Sequence, residues 1–106
     1  MKNPCVYMMS SRKDGVIYIG VTSDLVKRVY EHKNRITKGF VSQYNVFNLV
    51  YFELHETMES AIMRESQVKA WKRAWKIELI EKENPEWNDL YASRAYAVVR
   101  FQLALE

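Results

Sequence analysis

The stretch "VYMMSSRKDGVIYIG", Val6 to Gly20, decides how this chain is read. Two runs of β-branched and aromatic residues flank Asp14-Gly15, and Asp-Gly between such runs is a strong hairpin signal. The first strand is expected over about Cys5–Ser10 and the second over Val16–Gly20. A two-residue turn at Asp14-Gly15 sets Tyr7 opposite Thr22 and Tyr18 opposite Ser11. Because side chains alternate faces, Tyr7, Ser11, Tyr18, Gly20 and Thr22 then share one face. In that register the tyrosines lie four positions apart, roughly 13 Å at strand rise. Gly20 leaves open space beside them. Tyrosines on a strand are most often packing, so their meaning depends on what the rest of the chain brings to this face.

The next segment, "TSDLVKRVYEHKNRI", reads as a helix with Thr22 or Ser23 as cap and Asp24 in its first turn. Leu25, Arg28, Val29 and His32 fall on one stripe. The apolar members turn that stripe to the sheet and carry Arg28 and His32 inward. An inward arginine needs an anion or a carboxylate, because an unpaired buried charge is costly. A structural salt bridge, or an arginine reaching out to the rim, would also satisfy it. A histidine one turn on is placed to accept a hydrogen bond from a tyrosine hydroxyl, and its ordinary pKa near ~6.5 allows it to be neutral.

Gly39 breaks the helical pattern, and "NLVYFELHE", Asn48 to Glu56, has the composition of a third strand. Thr57 caps a helix that starts near Met58 and runs to about Glu83, as one helix or two abutting, before Asn84-Pro85. A short last helix follows from about Ser93 to Leu103. The expected architecture is a small α/β sandwich of the α+β type, one domain over 1–106. Its three-stranded antiparallel sheet is flanked by helices.

Met58, Ala61, Ile62, Glu65 and Val68 form the apolar stripe of the second helix, and Glu65 interrupts it. Two readings are open: Glu65 pairs with Arg28, or it holds a hard divalent cation completed by water and phosphate oxygens. "KAWKRAWK", residues 69–76, interleaves Lys69, Lys72, Arg73 and Lys76 with Trp71 and Trp75. Those residues suit phosphate neutralisation and base stacking, and equally an amphipathic helix with its tryptophans inward.

The bulk numbers bound these readings. At 106 residues and 48% hydrophobic content the chain is expected to form one domain with a real core. No stretch reaches the ~18 apolar residues of a membrane span, and no secretory pattern opens the chain. One cysteine and two histidines make neither a disulfide nor a structural zinc set, so a cytoplasmic location is expected. The net charge of +3 favours a polyanionic partner mildly.

"VYM" followed by "YIG", then "TSDLVKRVYEH" and "RESQVKAWKRAWKIELIEKENPEWNDLY", resembles the GIY-YIG nuclease superfamily, most closely its small stand-alone bacterial members. The likeness runs from about Pro4 to Tyr91, and the "KxWKRxxKxxLI…NPEWNDL" tail is more specific than the YIG triplet. It implies a nuclease domain acting on nucleic acid, most of all DNA, with one Mg2+ or Mn2+ on Glu65. Tyr7 and Tyr18 match the tyrosines of GIY and YIG. Arg28, His32 and Asn84 match the family's arginine, histidine and downstream asparagine. Two departures stand out: Cys5-Val6 replaces Gly-Ile, and Val21 follows YIG where one branch has a lysine.

The implied mechanism has Tyr7 deprotonate water, with His32 accepting or relaying the proton, since a phenol at pKa ~10 is a poor base alone. Arg28 stabilises charge on the nonbridging oxygens and Tyr18 positions water or phosphate. Lys69, Lys72, Arg73 and Lys76 are the expected nucleic-acid contacts. The alternatives are a binding module that keeps the fold without cleaving, and a structural protein with a buried Arg28–Glu65 pair. Substrate preference would then come from loops such as "TKGFVSQYN", a targeting protein or a homodimer.

Overall fold

The computed structural model describes residues 3–34 and 44–105, the side chains of 102–105 excepted. The expectations for Gly39 and for most of "TKGFVSQYN" lie outside these residues. The elements are β1 (Cys5–Ser10), β2 (Ile17–Thr22), α1 (Leu25–Lys33), β3 (Asn48–Leu54), α2 (Met58–Ala70), α3 (Arg73–Glu81), a 3-10 turn (Leu90–Ala92) and α4 (Arg94–Leu105). The strands form one antiparallel sheet in the order β2-β1-β3. No helix of the described residues is long and apolar enough to cross a membrane.

All six residues of the central strand are buried, as expected of an almost continuously apolar run covered on both faces. On one face Cys5, Tyr7 and Met9 pack with Leu25 and Val29 of α1, with Val46 and Leu49, and with Tyr96 of α4. On the other, Val6 and Met8 pack with Ile19, Val50, Ala61 and Val68 of α2, Ile80 of α3, and Trp87. β2 is an edge strand, and α2 lies against β2 and β1.

The hairpin departs from the expected register. Ser10 pairs with Ile17, Tyr7 with Gly20 and Met9 with Tyr18. The connection is longer than two residues. Ser11 N–H reaches Val16 O at 3.3 Å, and Gly15 N–H closes a turn on Arg12 O at 2.9 Å. Asp14, not glycine, takes the positive φ of 60° there, a conformation that aspartate tolerates better than most residues. The slip is by two residues, so it preserves which side chains share a face. It also brings the tyrosines from four positions apart to two.

Between Met8 and Met9 the β1–β3 ladder contains a bulge: Tyr51 pairs with Met8 and Leu49 with Met9, leaving Val50 extra. Val50 and Tyr51 consequently lie on the same side of the sheet, in the α2/α3 core. The third strand stops at Leu54 rather than Glu56.

Two helices, rather than one, follow Thr57, whose side chain accepts from Ser60 N–H at 3.1 Å. Trp71 and Lys72 are extended, with ψ of 151° and 155°, so "KAWKRAWK" straddles a break. The expected α2 stripe is narrower than the sequence suggests. Ala61 and Val68 are buried, but Ile62 is 49% exposed. Trp71 tucks partly against the core, whereas Trp75 is half exposed, so only one of the two tryptophans faces inward. The first helix is capped by Asp24, whose Oδ1 accepts from Lys27 N–H at 3.1 Å, with Thr22 supporting Asp24 N–H instead of capping the helix itself.

Candidate active site

The corrected hairpin register sets the geometry of the site. Tyr7 and Tyr18 become diagonal neighbours, with ring centroids 6.1 Å apart, and the His32 ring lies 5.6 Å from Tyr7 and 5.4 Å from Tyr18. The Tyr7 hydroxyl hydrogen-bonds His32 Nε2 at 3.1 Å. Tyr7 and His32 are buried, and Tyr18 is partly exposed.

Gly20 does not leave room for water and phosphate, as its open position suggests. The Tyr7 ring fills that space. A Cβ built on Gly20 would stand 2.6 Å from Tyr7 Cζ and 2.6 Å from its oxygen, so a side chain at position 20 would collide with the ring. Gly20→Ala is therefore expected to cost about 1–3 kcal/mol by overpacking, read as a lowered urea midpoint. An unchanged midpoint would show that the Tyr7 ring moves aside freely.

Arg28 does not pair with Glu65. It sits at the rim, its Nε 3.2 Å from Glu31 Oε1 one turn further along α1, with side chains 37% and 24% exposed. The buried Arg28–Glu65 pair of the structural reading is thus absent, since Glu65 holds Lys69 at 3.0 Å. The two residues stand on helices that cover opposite faces of the sheet.

The electrostatics follow from these placements. Burial, and then Tyr18, push the Tyr7 phenol well above its usual range, while Arg28 pulls it down. His32 is held down to about 4, first by burial and then by Arg28, with Glu31 and the Val46 backbone pulling upward. His32 is thus neutral at neutral pH, and its Nδ1 is buried without a well-formed hydrogen bond.

Glu65 has a side chain 15% exposed, with Lys69 on Oε2. A mostly buried carboxylate with an oxygen outside that pair suits a hard cation that takes most of its ligands from water and phosphate. Among the described residues no group of three or more His, Cys, Asp and Glu forms a closed metal cage.

Asn84 sits on the α2/α3 side of the sheet. Its amide donates to Val50 O at 3.0 Å and Asn88 O at 2.9 Å, and Oδ1 accepts from Asn88 N–H at 3.0 Å. It thus serves the carbonyl of the bulged residue, a backbone role that the sequence gives no sign of because the bulge is not legible there.

The four cations of the basic stretch are each engaged within the protein. Lys69 pairs with Glu65, Lys76 donates to Lys69 O at 3.2 Å, and Lys72 lies 5.0 Å over the Trp75 ring. Arg73 donates to Asp14 O at 2.9 Å and Gly15 O at 2.7 Å, clamping the hairpin turn.

Residues 3–78 match the model of the GIY-YIG catalytic domain. A UPF0213 protein of Staphylococcus saprophyticus is 33% identical over 70 residues, covering 66% of this chain and 85% of that protein. A UPF0213 protein of Syntrophus aciditrophicus is 31% identical over 87 residues, covering 81% and 98%. The solution NMR structure of a UPF0213 protein from Bacillus halodurans superposes with a TM-score of 0.52 at 28% identity, over 86% of this chain and 97% of that one.

Proposed function

Because this chain belongs to the GIY-YIG catalytic domain family, we propose that it is a metal-dependent endonuclease that hydrolyses phosphodiester bonds, with DNA as the substrate. The observation that carries this reading is the packed trio of Tyr7, Tyr18 and His32 beside the rim arginine, with a 3.1 Å hydrogen bond from phenol to imidazole. A core that needed only packing would hold no such pair, because each buried polar group must be matched at a cost.

Tyr7 and His32 form the base. At rest the phenol is protonated and His32 neutral, so neither can hold a water proton cheaply. Arg28 is the adjustable element. A substrate phosphate would draw it from Glu31, and neutralising its charge weakens the influence that depresses His32. The same guanidinium then faces the charge building on the nonbridging oxygens. Tyr18, partly exposed, orients the water and phosphate at the mouth. Asn84 acts through the scaffold, holding the bulge of β3 against α3.

Glu65 would hold the Mg2+ or Mn2+ ion, which when bound neutralises charge on the leaving oxygen. Since α2 lies against β2, the scissile phosphate would belong at the β2 edge, with Glu65 reaching it from one face of the sheet and the phenols from the other.

Wild-type protein is expected to cut labelled duplex, flap or branched DNA with magnesium or manganese and to stop on chelation. Cutting that persists in excess chelator removes the metal from this reading. Binding without cutting on every substrate would favour the alternative, a non-catalytic DNA- or RNA-binding module that retains the nuclease fold.

A further inference from the structure

Two polar depressions bracket the edge strand. One, of about 800 Å³ at the hairpin end, is lined by Arg12, Val16, Tyr44 and Arg73 among others. The other, of about 160 Å³ at the opposite end, is lined by Thr22, Lys27, Arg28 and Glu31 among others. Val16, Tyr18, Gly20 and Thr22 alternate onto one side of this strand; Gly20 and Thr22 are buried there, and the partly exposed Tyr18 lies between the depressions, nearer the hairpin end. From Val16 to Thr22 is about 20 Å at strand rise, on the order of six phosphates at 3.4 Å each along one strand of a duplex.

The cations along this line differ from those of "KAWKRAWK". Arg12 and Lys27 are exposed, and among the described residues neither head group has an ion pair or hydrogen bond. The acidic groups beside Lys27 are engaged already. Asp24 caps α1 through Lys27 N–H, and Glu31 holds Arg28. Tyr44, 42% exposed, offers an aromatic surface in the Arg12 depression.

Resting on the nuclease reading above, we propose that a phosphodiester strand lies along β2 from the hairpin tip to the start of α1. It passes Tyr18 between the two depressions, and Arg12 and Lys27 meet the phosphates on either side of the bond to be cut. A strand so placed needs no base contacts, so the recognition is of backbone rather than sequence. Apart from Arg73, which lines the hairpin-end depression while clamping its turn, the interface thereby moves off the residue 69–76 stretch, whose cations hold the protein's own carbonyls, a carboxylate and an aromatic ring.

The test is anisotropy with a short labelled DNA strand and its duplex, in chelator so that nothing is cut, over a range of salt. Arg12→Ala and Lys27→Ala are each expected to weaken binding roughly fivefold and to lower the slope of log affinity against log salt by about 1. Lys72→Ala should change neither. The reverse pattern, loss in Lys72→Ala with Arg12→Ala and Lys27→Ala unaffected, overturns the track and leaves the nuclease reading standing. Failure of the wild type to bind at any salt would overturn both.

Discussion

A Tyr7→Phe variant is expected to lose about 10²–10⁴-fold in metal-dependent cleavage, the usual worth of a positioned general base, while keeping its fold. The phenyl ring still fills the space over Gly20, so the packing that fixes the hairpin survives. What disappears is the hydroxyl that His32 Nε2 meets at 3.1 Å. That leaves a second nitrogen of a buried ring without a partner, at a stability cost of about 1–3 kcal/mol. Structural and catalytic effects therefore separate: melts shift modestly and the rate falls by orders of magnitude. Glu65→Ala should fall to the rate seen in chelator and show no further response to magnesium or manganese. Full activity in Tyr7→Phe together with loss in Tyr18→Phe would transfer the base to the exposed tyrosine.

The sequence carries the sheet and the faces well, because both rest on period-two alternation. A shift of two residues in register leaves every face assignment intact, so Tyr7, Tyr18, Gly20 and Thr22 share a face with either turn. Turn length was less legible. Asp14-Gly15 is a good two-residue turn locally, yet Arg73, fifty-eight residues on, clamps the carbonyls of a longer one. The helix break at Trp71-Lys72 has no proline or glycine to announce it. The role of Asn84 depends on a bulge in a distant strand, and the pairing of Arg28 with Glu31 rather than Glu65 depends on which face of the sheet each helix covers. The meeting of a tyrosine hydroxyl with His32 was legible in the sequence; the partners of Arg28, Glu65 and Asn84 were not.

His32 should make the protein measurably acid-sensitive well above the range in which carboxylates titrate. Its pKa is about 4 in the folded protein against ~6.5 unfolded. Above pH ~6.5 neither state binds the proton, and the stability is fully present. As pH falls toward 4 the unfolded chain takes up a proton that the folded protein refuses, so stability drops by about 3 kcal/mol and levels off below the folded value. Urea melts at pH 7 and pH 4.5 should show most of this difference in the wild type and little of it in His32→Gln. The causes can be tested by sign. The groups that bear on the ring are Tyr7 from β1, Tyr18 from β2, Arg28 and Glu31 from α1, and the Val46 backbone. Arg28→Ala should raise the His32 pKa followed by NMR, and Glu31→Gln should lower it, because Arg28 depresses it and Glu31 opposes that. A wild-type His32 that titrates near its ordinary value would sink the prediction. So would an Arg28→Ala variant with an unmoved His32, and the second result would cut deeper. If the arginine does not hold the histidine down, a phosphate at the arginine cannot release it, and the base would have no means of strengthening when substrate arrives.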